Sequence, residues 1–195
     1  GKTTFLKVAA TLIRPTKGSL RIHGIDVHDN AEDARRGIGF LSHNTYVYRD
    51  LTPLENLRFF ARLYGVDDSE NRLKTLLERV GLHRRMDDPV RSFSRGLNQR
   101  VGIARVMLHD PGLILLDEPY TGLDAHAVGI LNDMLDEASK KGKTIVVTTH
   151  DVEHGLRAAT RAVIIDRGKV VFDGDARTPA VRDAYSRYVT QDGTA

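Results

Sequence analysis

The stretch Leu113-Ile114-Leu115-Leu116-Asp117-Glu118-Pro119 decides the fold. Its four apolar residues in a row are too short a run for a helix. They also lack the alternation of a strand with one wet face, so they describe a strand buried on both sides. Such strands belong to parallel sheets covered by helices. Two carboxylates follow at the carboxyl end of the strand, where open α/β sheets bind their ligands. Adjacent like charges repel, so a pair kept here points to chemistry rather than to a plain surface turn. Asp117 is suited to hold Mg²⁺, which takes hard oxygen ligands. Glu118, one residue further out, is suited to meet an attacking water. That division of labour belongs to phosphoryl transfer, where the protein positions water and neutralises charge.

Downstream, Thr144–Thr149 is a second short apolar strand, followed at once by His150, which lies 32 positions after Glu118. At the same sheet edge a histidine can contact a γ-phosphate or orient a water. Ala162–Ile165 is a third apolar run, and helical stretches near 125–140 and 151–159 separate the three. Strand–helix–strand alternation predicts a parallel sheet with helices on its faces. Asp166-Arg167-Gly168-Lys169 turns a last hairpin into Val170–Phe172, and 175–195 reads as one short helix with a loose end.

Upstream, Ile38–Ser42 is a short strand. Between it and Leu113 lies a helical insert, residues 44–108, with the second half of the α/β core at 109–174. Thr52-Pro53 with Glu55 is a helix start, and Leu54, Leu57, Phe60, Ala61 and Tyr64 form its apolar face up to Gly65. A second face, Leu73, Leu76, Leu77 and Val80, ends at Gly81, and Leu97–Leu108 is a third helix. Ser94-Arg95-Gly96-Leu97 stands before it, where a hydroxyl and a glycine amide at a helix N-terminus can bind phosphate or merely cap the helix. Residues 2–13 carry helical spacing, and Ser19–His23 with Ile25–Val27 reads as a small hairpin about Gly24. Gly1-Lys2-Thr3-Thr4 opens the first helix and reads as the tail of a longer glycine-rich loop. In such a loop Lys2 would reach the β- and γ-phosphates and the Thr3 hydroxyl would hold Mg²⁺.

Composition excludes some chemistry. The 195 residues contain no cysteine, so neither a disulfide framework nor a thiolate metal site is possible within them. No apolar run approaches the roughly 18 residues of a membrane span, so action on a membrane requires a partner. The net charge of +3 hints at an anionic ligand. The arginines between Arg79 and Arg100 read as a solvated face, and no nucleic-acid partner is expected.

Taken together and in this order, these pieces resemble the ATP-binding domains of ABC transporters, over essentially the whole chain. On that resemblance Gly1-Lys2-Thr3-Thr4 is the end of Walker A, His43-Asn44 the Q-loop, and Phe93–Arg100 the family signature. Asp117 and Glu118 are Walker B and the catalytic glutamate, Thr121-Gly122-Leu123-Asp124 the D-loop, and His150 the switch histidine. The resemblance implies a P-loop NTPase of α/β class, one domain over 1–195, with a parallel-sheet core and a helical ABC subdomain. It also implies that the N-terminal strands and most of the phosphate-binding loop are missing from the given sequence. The piece alone is therefore expected to bind ATP poorly and to expose a bare sheet edge. ATP and Mg²⁺ are the implied cofactors. Gly1, Lys2, Thr3 and Thr4 would bind nucleotide, Thr3 and Asp117 the metal, and Glu118, His150 and His43 would act in catalysis. Two such domains would pair head to tail as a homodimer or pseudo-dimer, Ser94 and Gly96 meeting the partner's γ-phosphate and Asp124 coupling the sites. Transmembrane permease subunits would dock on the helical insert and hold the protein at the cytoplasmic face of the membrane.

Two further departures from the family pattern stand out. His43, or Asn44 next to it, stands where the family has the usual Q-loop glutamine; His43 in that place predicts a pH-dependent rate that His43→Gln would flatten. Arg95 and Leu97 replace a glycine and a glutamine of the signature. Residues 41–52 and 93–96 look like the ATPase of the haem exporter used in cytochrome c maturation, and also like drug and polysaccharide exporters. ABC-type ATPases of DNA repair carry long coiled coils between the Walker motifs, and no sustained heptads occur here. A translation factor would carry two such domains in tandem, an alternative that a longer parent chain leaves open, and a module without hydrolysis would not need Glu118 and His150.

Overall fold

The computed structural model describes residues 1–42, 44–157 and 159–188. In chain order the elements are α1 (Lys2–Ala9), β1 (Arg21–Ile22), β2 (Ile25–Asp26), α2 (Ala31–Arg36), β3 (Ile38–Leu41), α3 (Pro53–Tyr64), α4 (Glu70–Arg79) and α5 (Arg95–Met107). They continue with β4 (Leu113–Asp117), α6 (Ala125–Lys140), β5 (Thr144–Thr148), α7 (Val152–Leu156), β6 (Arg161–Asp166), β7 (Lys169–Asp175) and α8 (Pro179–Tyr188).

The centre is a parallel sheet in the order β3-β4-β5. Strand β4 is its middle strand, and Ile114, Leu115 and Leu116 are all at most 2% exposed. Because side chains alternate along a strand, the two faces enter different cores. Ile114 and Leu116 pack in a cluster that runs through α3, α4, α5 and α6. Leu115 packs with Leu6 of α1, Ala34 of α2 and Ile38. This is the two-sided burial that the unbroken apolar run requires. Helix α5 lies close upon β3. A methyl group at Gly39 would come within 2.8 Å of Val106 Cγ1, and one at Gly102 within 2.9 Å of Leu41 Cδ1.

The helices joining β3 to β4 start and stop where their termini dictate. Thr52 and Glu55 form a capping box, with Thr52 Oγ1 accepting from the Glu55 amide at 3.2 Å and Glu55 Oε2 from the Thr52 amide at 2.8 Å. Gly65 ends α3 in the left-handed conformation, φ 67°.

Two expectations need correction, and one helix lies outside them. The run Ala162–Ile165 is not a further parallel strand: β6 pairs antiparallel with β7 in its own two-stranded sheet. The turn at 166–169 reverses the chain at once, so the nearest partner is the hairpin neighbour, and Val163 stays 49% exposed. Helix α1 stops at Ala9 rather than near residue 13, with Thr11 at φ 59°. Helix α2 went unpredicted because its sequence, AEDARR, buries only Ala34 and shows no apolar period.

Candidate functional site

Parallel pairing places Asp117 opposite Thr148 and Leu116 opposite Val147, so β4 and β5 end side by side. Helix α1 starts at the same edge, since Thr3 in its first turn reaches β4. Asp117 is 3% exposed. Its Oδ1 accepts from Thr148 Oγ1 at 2.6 Å and from Thr3 Oγ1 at 3.2 Å. A buried carboxylate requires such donors.

Glu118 begins the turn out of β4. Its amide donates to the Thr148 carbonyl at 2.8 Å, extending the ladder by one bond. Its φ of 52° is rare for a residue with a side chain; such strain concentrates at functional sites. Glu118 Oε2 lies 2.8 Å from Nδ1 of His150 and accepts from the His150 amide at 3.3 Å. The imidazole is largely exposed and the carboxylate mostly covered, with side-chain exposures of 73% and 26%. Tyr185 Oη donates to the His150 carbonyl at 3.3 Å, tying α8 to this corner.

Thr3, Asp117, Glu118 and His150 thus converge on one sheet edge. Gly1 sits at the N-cap of α1, and Lys2 and Thr4 are exposed in its first turn. Ser94 is the N-cap of α5, its Oγ accepting from the Leu97 amide at 3.3 Å, and Gly96 follows in the first turn. Asp124 is the N-cap of α6, accepting from the Ala127 amide at 2.7 Å. That backbone bond, with Arg100 adding to it, lowers the pKa of Asp124. Ser94, Gly96 and Asp124 form a second group, with no side-chain hydrogen bond or ion pair to the first among the described residues. His43 lies outside the described residues; its neighbour Asn44 has its amide on Ser42 Oγ at 3.2 Å.

The sequence reading missed Thr148, the shortest contact that Asp117 makes. Its signal was available: laying the two apolar strands in parallel register puts a hydroxyl opposite the carboxylate. Arg100, paired with Asp124 at 3.1 Å, was also missed, because nothing in linear spacing joins residues 24 apart on two helices.

No cluster of three or more His, Cys, Asp or Glu capable of holding a metal occurs among the described residues. The oxygens of Thr3 and Asp117 are a hard-donor pair 3.2 Å apart. Neighbouring ligands around Mg²⁺ are separated by about 3 Å, and Mg²⁺ commonly takes only one or two protein oxygens beside substrate phosphates. The donor set fits that ion.

A family model described as ABC transporter matches residues 1–121. The chain is 35% identical over 177 residues to the ABC transporter ATP-binding protein NatA of Bacillus subtilis, covering 89% of this chain and 72% of that protein. It is 35% identical over 176 residues to the Nod factor export ATP-binding protein I of Cupriavidus metallidurans, covering 89% of this chain and 58% of that protein. Among solved structures, an ATP-binding subunit of an ABC transporter matches with a TM-score of 0.85 and 31% identity, over 97% of this chain and 79% of that one. The ATP-binding cassette MJ0796, a dimer in a post-hydrolysis state with ADP and Pi, matches with a TM-score of 0.80 and 29% identity, over 91% and 82%. No helix among the described residues is long and apolar enough to cross a membrane. Sequence, sheet order and relatives agree: the chain belongs to the ABC transporter family and is an ATP-binding domain of it.

Proposed function

We propose that this chain is the ATP-hydrolysing part of an ABC exporter, with its chemistry at the carboxyl edge of β4 and β5. The observation that carries the reading is the convergence there of Thr3 on Asp117 and of His150 on Glu118. Lys2 binds the β- and γ-phosphates. Thr3 and Asp117 hold Mg²⁺, which when bound neutralises phosphate charge. Glu118 accepts a proton from the attacking water or orients it, and its geometry suits this: the carboxylate is mostly covered and already anchored through Oε2. His150 fixes that carboxylate and faces solvent, where a γ-phosphate enters. His43, with Asn44 beside it, contributes from the loop after β3. Thr148 holds Asp117 from below, so the metal-binding carboxylate is oriented before nucleotide arrives.

The second group serves a second copy. Ser94 and Gly96 present a capped helix N-terminus to the partner's nucleotide, and Asp124 couples the two sites. The dimer of the MJ0796 cassette supports this arrangement. The helical insert 44–108 receives permease subunits, which place the protein on the cytoplasmic face of a membrane. Tyr46, Tyr48, Phe59 and Leu63 are exposed there, 41–66%, an apolar surface suited to a partner. Export is the favoured direction because similar proteins are named for Nod factor export. A haem cargo rests only on the resemblance of residues 41–52 and 93–96.

The test uses the protein in its full natural length. Steady-state ATPase is compared for the natural sequence and Glu118→Gln, while light scattering follows ATP-driven dimerisation. A rate lost in the variant, with a dimer trapped by ATP, supports the reading. An unchanged rate removes Glu118 from its role, and no hydrolysis in either leaves a nucleotide-binding module.

A further inference from the structure

Arg100 is a cation taken out of water, with its side chain 10% exposed. It leaves α5 less than two turns after Ser94 and crosses to the start of α6. There Nη2 donates to both carboxylate oxygens of Asp124, at 3.1 and 3.2 Å. Among the described residues Asp124 is its one ion-pair partner. The path is narrow: a methyl group at Gly81 would stand 2.8 Å from Nη1, and Gly81 has φ 70°. The same stretch is gripped a second time. The stem of Arg95 lies over Gly122, where a methyl group would be 3.1 Å from its Cδ, and a methyl at Gly96 would be 2.9 Å from the Gly122 carbonyl oxygen. Helix α5 therefore holds the 121–124 loop by a charge pair, buried on the Arg100 side and exposed on the Asp124 side, and by close packing.

The geometry points to Arg100 as the positioning residue for Asp124: it fixes the loop 121–124 on the helix that carries Ser94 and Gly96, so that both are presented to the second subunit's nucleotide as one pre-ordered surface. This rests on the dimer reading above. A loop ordered in advance loses less freedom when the dimer closes, so less ATP is needed to close it. Arg100 touches neither Asp117 nor Glu118, and the rate at saturating ATP is independent of it.

The test measures ATPase rate against ATP concentration in the full-length protein. Arg100→Met is the main variant, because an apolar side chain of similar volume leaves no unpaired charge in the interior and folds readily. It raises the ATP concentration for half-maximal rate by about tenfold, within the coupling expected of contacting residues, and leaves kcat within about twofold. Arg100→Lys, with a charge but no fork, recovers part of the loss. In an Asp124→Asn background Arg100→Met adds nothing. Half-saturation unchanged in Arg100→Met, or an effect that adds in full to Asp124→Asn, overturns the inference. Absence of ATPase in the natural sequence would instead overturn the function on which it rests.

Discussion

The hydroxyl of Thr148 donates to Oδ1 of Asp117 across 2.6 Å, in a part of the sheet where both residues are buried. Replacing Thr148 by valine keeps the shape and removes the donor. A buried acceptor that loses a partner destabilises by about 1–3 kcal/mol. Because Asp117 also loses one of the two hydroxyls that orient it, Thr148→Val should raise the Mg²⁺ concentration for half-maximal ATPase, while Thr148→Ser should restore it. Denaturant unfolding and a Mg²⁺ titration of the rate check the two effects separately.

The pair Glu118–His150 predicts a different signature. Removing the imidazole with His150→Ala leaves Asp117, Thr3 and the fold untouched, since His150 is 73% exposed by side chain. Nucleotide binding and thermal stability should hold. kcat should fall by about 10²-fold, the low end of what a positioned acid–base group contributes. A mutant with normal turnover would remove His150 from the chemistry.

Much of the geometry of this candidate site was legible because it hangs on strand ends. An apolar run fixes a buried strand, the strand's direction fixes which end carries ligands, and Asp117, Glu118 and His150 follow by position alone. Thr52 and Glu55 were equally readable, because a capping box acts within four residues. What stayed hidden depends on pairing between distant elements. Ala162–Ile165 has the composition of a buried parallel strand, yet its hairpin partner claims it, and apolar content cannot distinguish the two. Arg100 reads as one of several surface arginines until α5 and α6 are packed together. Asn56 belongs with these: an asparagine on the apolar side of α3 looks like an interruption, but it is fully buried and accounts for a loop.

That asparagine carries the third prediction. Asn56 Oδ1 accepts from the Tyr48 amide at 2.7 Å, and Nδ2 donates to the Tyr48 carbonyl at 2.9 Å and to the Thr52 carbonyl at 3.0 Å. One side chain thus satisfies both backbone groups of Tyr48 and seats the 44–52 segment against α3. Asn56→Leu matches the volume and leaves those groups without it. We expect a loss of about 1–3 kcal/mol, one such deficit, because the Tyr48 amide loses its partner while the Tyr48 carbonyl keeps the Leu51 amide at 3.3 Å, with Tyr48 released from its edge contact with Phe59, 4.9 Å between centroids. Denaturant unfolding measures the first. Amide exchange at Tyr48 measures the second, and protection equal to that of the natural sequence would count against the assignment.

His109 predicts how stability varies with pH. Its Nε2 lies 3.0 Å from the Ile38 carbonyl oxygen, so that nitrogen carries the proton and donates. The other nitrogen, Nδ1, is buried with no hydrogen-bond partner among the described residues. The ring stacks on Tyr64 at 4.1 Å. Burial lowers the pKa of His109 below its usual value. The cations Arg105 and Lys143 push it the same way, while the Ile38 bond and Asp110 oppose. The folded protein therefore resists a second proton that the unfolded chain accepts. Above the unfolded value of about 6.5 the group is neutral in both states and its contribution to stability is fully present. As pH falls from there toward the lowered folded value, the unfolded state binds more protons and stability is lost. His109→Phe keeps the stack, forgoes the bond to Ile38 and cannot titrate. It should be less stable than the natural sequence at pH 7.5, and the gap in melting temperature should narrow as pH drops toward 5. The other histidines are common to both proteins and cancel in the difference. A gap that stays constant or widens on acidification would mean that the buried imidazole is accepting its second proton in the folded state.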